Sequence, residues 1–174
     1  MKKLNKFATV MAKVLEIMFW IGDAIMVVLF IASIAITDKI TSLIQKGLAT
    51  DTLTISGFDI QVFEENSAAI AGTITLAAIS GIISCGLIAM IFRNIYLIFK
   101  KSEQESPFAK DNIRMVREIG IFAIALPVVD LILSIIGRMI INANAVEISV
   151  SFNSVIFGII ILCLSQFFAY GAQL

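Results

Sequence analysis

Two carboxylic acids stand where a charge is hardest to keep. Asp23 falls inside the apolar run Ile17–Ile36 and Asp130 inside the apolar run Ile119–Ile141. If the first run enters hydrocarbon near Val14 and the other near Ile119, the two carboxyls lie about 13 Å and about 16 Å in, at 1.5 Å per residue. Both depths are close to the bilayer midplane, where an unsatisfied charge costs ~2.5–3.5 kcal/mol on insertion scales. Acids so placed should face other helices, and three chemistries are open to them. They can join two spans through hydrogen bonds. They can hold a cation, a proton or a polar ligand. As neighbours, they would share a proton rather than both ionise. Pro127, three residues before Asp130, removes one helix hydrogen bond and releases the carbonyl of Ala123, as a polar cavity would use. Glu16 and Arg138 lie nearer the interfaces and can snorkel; Ser165 and Gln166 offer polar groups in the last run.

Other chemistry is poorly served. There is no histidine, so the commonest general base and metal ligand is missing. Cys85 and Cys163 both fall within apolar runs. They are too few for a zinc site, a disulfide at membrane depth is disfavoured, and packing between helices is their expected role. No Walker, Rossmann, nucleophile-elbow or zincin pattern appears. Aspartyl chemistry inside a membrane would need a paired geometry that nothing in the spacing of Asp23 and Asp130 dictates. The expectation is a protein that is not an enzyme and carries no cofactor and no metal. Formal net charge is zero, which predicts no direct nucleic-acid partner.

The elements that must position these acids are long apolar runs: Ile17–Ile36, Ala69–Phe92, Ile119–Ile141 and Val150–Ala172. Each has about the 20 residues a helix needs to cross ~30 Å of hydrocarbon. Apolar residues make up 59% of the 174, more than a soluble domain of this length carries. The expected fold is an all-α membrane protein, a four-transmembrane-helix bundle with a small extracellular β-sheet (hairpin plus one strand). The whole chain, 1–174, would be one four-span membrane domain, with spans about 14–36, 69–92, 119–141 and 152–171. External loops would cover 37–68 and 142–151, and a cytoplasmic loop 93–118.

Charge orients this arrangement. Lys2, Lys3, Lys6 and Lys13 precede the first span; Arg93, Lys100, Lys101, Lys110, Arg114 and Arg117 lie between the second and third. Only Lys39, Lys46 and Arg138 fall on the other side. The positive-inside rule then places the protein in the cell membrane, multi-pass, with both termini cytoplasmic. A competing reading makes the start a cleaved signal peptide, with Ser33 and Ala35 as the small-residue site; Glu16 and Asp23 interrupt its apolar segment and count against it.

In the first external loop, Thr37-Asp38 could cap a helical turn through Ile40, Leu43, Ile44 and Leu48. Thr52–Ile55 and Asp59–Phe63 alternate apolar and polar residues around Ser56-Gly57, the pattern of a hairpin. Val146–Phe152 alternates in the same way and would supply the third strand. In the cytoplasmic loop, Ser106-Pro107 reads as an N-cap and first helical residue, with Asp111 as a second cap. The third span should therefore begin as an amphipathic cytoplasmic helix. Phe108, Arg114 and Arg117 would contact either a partner or the membrane surface. In the second span Ala77, Gly81, Cys85 and Ala89 recur every four residues and would let another helix approach closely, within the chain or in a homo-oligomer.

The stretch from Ser106-Pro107-Phe108-Ala109-Lys110-Asp111-Asn112-Ile113-Arg114 to Ile119-Gly120 resembles a bacterial membrane family, domain-of-unknown-function family 2975. That family has a Pro-Phe-x-x-x-Asn-type motif before a basic residue and an Ile-Gly pair, flanked by spans. The four-span layout, the expected Thr52–Phe63 hairpin and the terminal Phe167-Phe168-Ala169-Tyr170-Gly171 are similar too. Its members often continue with a polar tail beyond this point and are commonly encoded beside a small helix-turn-helix regulator. The resemblance implies association with such a DNA-binding regulator on the cytoplasmic side, in addition to the lipid bilayer as partner. Three functions follow as expectations: a non-enzymatic sensory or regulatory membrane protein; a small transporter or channel component using Asp23 and Asp130; and immunity or stress protection against a membrane-active agent.

Overall fold

The computed structural model of the chain describes residues 2–35, 52–55, 58–61, 67–101, 106, 108–140 and 152–173. Four helices carry the fold: α1 (Lys2–Ala35), α2 (Ser67–Lys101), α3 (Lys110–Ile140) and α4 (Phe152–Gly171). Stretches of all four, Asn5–Ala32, Thr75–Lys101, Lys110–Met139 and Phe152–Gly171, are long and apolar enough to cross a membrane. At 35 residues α2 is about 52 Å long, so its ends reach well past ~30 Å of hydrocarbon. Lys100 and Lys101 close its last turn, where cations complement the helix dipole.

The start of α3 departs from the expected cap. The Ser106 carbonyl accepts from the Ala109 N–H at 2.9 Å, and the Ser106 hydroxyl accepts from the Phe108 N–H at 3.3 Å. Ser106 thus opens a turn rather than capping the helix. The first helical bond runs from the Ile113 N–H to the Ala109 carbonyl at 3.1 Å, which makes Ala109 the capping residue. Asn112 braces this corner by donating from Nδ2 to the Ser106 carbonyl at 3.1 Å. Ile113, Met115 and Ile119 are buried while Arg114 and Arg117 are exposed, so the first turns of α3 are amphipathic.

The expected extracellular sheet, a hairpin plus one strand, is overturned. Apart from turns at 106, 108–109 and 172–173, the described residues are helical except for one short antiparallel ladder, β1 (Thr52–Ile55) against β2 (Phe58–Gln61), in register Thr52↔Gln61 to Ile55↔Phe58. Among the described residues this ladder has two strands and no third. Phe152, expected to end the third strand, is instead the first residue of α4. Seven alternating residues abutting a long apolar run cannot be told from the start of that run by period alone. The helical turn after Thr37 and residues 146–151 lie outside the described residues. The fold class is corrected to four helices with, among the described residues, this one short ladder in place of the three-stranded sheet.

Packing is inverted relative to a soluble protein. The buried apolar residues include Ala12, Ala77, Ala78, Ala89 and Ala123, and the largest fully buried side chains are Ser80 and Ser165. Large side chains such as Val28, Ile31, Phe152 and Phe167 are exposed. Only 6% of the most apolar stretch of α1 is buried. Lipid tails are as apolar as leucine, so helices gain little by hiding large side chains from them; small residues win the interfaces because they let backbones approach.

The chain divides into two compact units. One comprises Met1–Gly22, Cys85–Pro127 and Ser151–Leu174; the other comprises Asp23–Ser84 and Val128–Val150. In the first, Phe19 stacks on Phe92 with ring centroids 5.6 Å apart. There too α3 and α4 cross at glycines: a Cβ on Gly158 would come within 2.9 Å of the Gly120 carbonyl oxygen. In the second, Met26 of α1 covers Gly81 of α2; a Cβ there would lie 3.2 Å from Met26 Cε.

Candidate functional site

The second unit holds a polar cluster on faces that are otherwise apolar. Asp130 of α3 accepts a hydrogen bond at Oδ1 from the Ser80 hydroxyl of α2, at 3.2 Å. Ser80 is fully buried. Ser84 follows one turn later and faces the same carboxylate, but its Oγ forms no hydrogen bond among the described residues. The residue is only 9% exposed, so the nearby carboxylate of Asp130 is the group this hydroxyl can turn to. On α3, Ser134 turns back to donate to the Asp130 carbonyl at 2.7 Å and leaves the carboxylate alone.

Asp23 reaches the level of Ser84 by register. Along α1 the residues Lys13, Phe19 and Met26 meet Tyr96, Phe92 and Gly81 in descending order on α2, so the two helices run antiparallel. Three residues before Met26 and three after Gly81, Asp23 and Ser84 come to one level. Asp23 Oδ1 is buried and has no hydrogen-bond partner among the described residues. No hydrogen bond joins the two aspartates there. Asp130 is tied to α2, whereas Asp23 Oδ1 finds no hydrogen bond among the described residues.

The small-residue stripe is placed on packed surface. Ala77, Gly81 and Ala89 are buried. Gly81 meets Met26, and Cys85 Sγ stands 4.0 Å from where a Cβ on Gly22 would lie, so α1 occupies this face within the chain. Neither cysteine forms a disulfide; Cys163 is exposed on α4, contrary to the expectation that it packs between helices. Ser165 donates to the Leu162 carbonyl of its own helix at 2.7 Å, and Gln166 is exposed.

The basic-loop residues are partly engaged. Phe108 meets Phe168 edge to face at 5.9 Å between centroids and lies against Gly171, pinning the start of α3 to the end of α4. Arg114 pairs with Glu118 at 3.5 Å, and Arg117 is exposed. Two polar features went unread in the sequence. Asn94 of α2, buried, donates from Nδ2 to Glu118 of α3 at 3.0 Å. Glu16, expected to snorkel, is 7% exposed and held by Lys13 at 3.0 Å. An asparagine just past an apolar run, and a glutamate three residues after a lysine on one helix, are the signals that could have marked them.

No family model, no curated protein and no solved structure matches this chain.

Proposed function

We propose that this is a non-enzymatic, multi-pass protein of the cell membrane, sensory or regulatory in role, whose input is a proton or small monovalent cation taken up inside its helices. The carrying observation is that two buried oxygens, Asp23 Oδ1 and Ser84 Oγ, make no hydrogen bond among the described residues, the second one turn from the Ser80–Asp130 hydrogen bond and the first level with Ser84 by register. Buried polar atoms are nearly always satisfied, and a group that is not needs a reason. Carboxylate and hydroxyl oxygens are the donors hard cations take. Two carboxylates and two hydroxyls are few for a divalent ion with six to eight oxygen ligands, which favours a single positive charge. Both termini are cytoplasmic in this reading, supported by the basic residues gathered at one end of the spans. The exposed Arg117 and the outer edge of Phe108 then face a cytoplasmic partner, for which the resemblance of 106–114 to family 2975 points to a small DNA-binding regulator.

The test is the unfolding temperature of the purified chain in detergent micelles, with sodium chloride against choline chloride and across a pH series. Wild type should respond to sodium or to acidification, and the variant Asp23→Asn with Asp130→Asn should respond to neither. A wild type indifferent to both overturns the reading. The same cluster supports a second reading, a small transporter or channel component. Sodium or proton flux in proteoliposomes, lost in the double variant, would replace the sensory role with that one.

A further inference from the structure

At the basic end of the spans, charges of one sign converge on one ring. Lys13 of α1 holds its ammonium 4.9 Å from the centroid of Tyr96 on α2. Lys100, one turn beyond Tyr96, holds its own at 5.6 Å from the same centroid. The two ammonium groups are therefore within about 10 Å of each other, roughly one Debye length, where their repulsion is incompletely screened. Arg93, three residues before Tyr96 on the same face of α2, is exposed and adds a third cation. Among the described residues the carboxylates at this end, Glu16, Asp111 and Glu118, are each engaged: Glu16 by Lys13 at 3.0 Å, Asp111 by Lys101 at 2.9 Å and Glu118 by Arg114 at 3.5 Å. Among the described residues neither Lys100 nor Arg93 has an ion-pair partner. The tyrosine ring eases the convergence by offering its negative face, but it carries no net charge.

We infer that Lys13, Arg93, Tyr96 and Lys100 form a site for the phosphate of an anionic phospholipid headgroup. A phosphodiester supplies the missing negative charge and oxygens that several N–H donors can share. A lipid fits better than free phosphate because of what flanks the lysine. Val10, Val14 and Ile17, within one turn of Lys13 on either side, are all exposed and give acyl chains an apolar surface to lie against. The length of α2 also puts Lys100 past the hydrocarbon, at headgroup depth. The site shares no residue with the carboxylate–hydroxyl cluster and does not depend on a cation binding there.

Native mass spectrometry of the full chain, released from detergent with phosphatidylglycerol, phosphatidylcholine or inorganic phosphate, tests this. Phosphatidylglycerol should bind at least about tenfold more tightly than phosphatidylcholine, as expected for several basic residues at a membrane surface. Lys100→Gln should weaken it roughly fivefold, the loss expected for one surface cation. Lys100 is exposed and strands no carboxylate, so this variant leaves the fold alone; Lys13→Gln with Lys100→Gln should abolish the preference. Lys110→Gln, an exposed lysine on α3, should change nothing. Equal binding of the two lipids, or wild-type binding by Lys100→Gln, overturns the site. Inorganic phosphate that displaces phosphatidylglycerol at matching concentration overturns its assignment to lipid.

Discussion

The two serines beside Asp130 carry unequal consequences although they are the same residue one turn apart. Ser80 supplies the hydrogen bond to Oδ1, so Ser80→Ala leaves a carboxylate oxygen without its donor and should cost about 1–3 kcal/mol. Ser84 faces the same carboxylate but its buried Oγ makes no well-formed hydrogen bond among the described residues, so Ser84→Ala should change stability by less than about 1 kcal/mol. Unfolding in mixed micelles, without sodium, measures both. Under the proposed function the two variants should agree in one respect: each loses part of the response to sodium. Asp23 and Asp130 are legible in the sequence because an acid within an apolar run admits few bland readings. Ser80 and Ser84 are not, since a serine in a span is an ordinary small residue. Their role depends on which face α2 turns to α3, and that is set by packing beyond the helix itself.

Among the elements, α3 and α4 make the closest approach described, and it depends on having no side chain at two positions. A methyl on Gly158 would run into the Gly120 carbonyl oxygen, 2.9 Å away, and into Ile124 of α3. Backbone cannot yield as a side chain tip can, so Gly158→Ala should destabilise the chain by about 1–3 kcal/mol, the usual cost of overpacking. Gly86 on α2 is the control: nothing lies within 4 Å of an added Cβ. Gly86→Ala should be neutral or gain up to roughly 1 kcal/mol from helix propensity. Thermal unfolding of the two variants side by side in one detergent separates crossing from propensity. Of this level, the four helices were legible because apolar length is a strong signal, but their ends were not. α1 starts at Lys2 and α2 continues to Lys101, since a helix persists into polar flanks that carry no hydropathy signal. The small-residue stripe of α2 was visible by its even spacing, whereas the glycine pair 120 and 158 lies on two helices, and no spacing within one helix reveals it. Phe152, expected to end a strand, opens α4 for a related reason: two periods fit a short segment, and at this residue the helix prevailed.

For the molecule as a whole, the inverted packing is the strongest statement about its surroundings. Alanine, glycine and serine fill the contacts while valine, isoleucine and phenylalanine face outward, and in water such a surface would drive aggregation rather than folding. In lipid the same surface is at home, and the interior needs only close backbones and satisfied polar atoms. The two cysteines report this directly. Cys163 is exposed in the middle of α4, among Ile159, Ile160, Leu164 and Phe167, whereas Cys85 is half-buried with its sulfur toward Gly22 of α1. If the outward face of α4 meets hydrocarbon, Cys163 is accessible to reagents dissolved in the bilayer and shielded from those confined to water. Intact membranes treated with a lipid-soluble maleimide should therefore label Cys163 ahead of Cys85, read by mass spectrometry of the two peptides. A charged, membrane-impermeant maleimide should label neither until detergent is added. Rapid labelling of Cys163 by the charged reagent in intact membranes would mean that α4 lines an aqueous path rather than facing lipid. That outcome would favour the transporter reading of the carboxylate–hydroxyl cluster over the sensory one, because an ion site then needs a wet route to it.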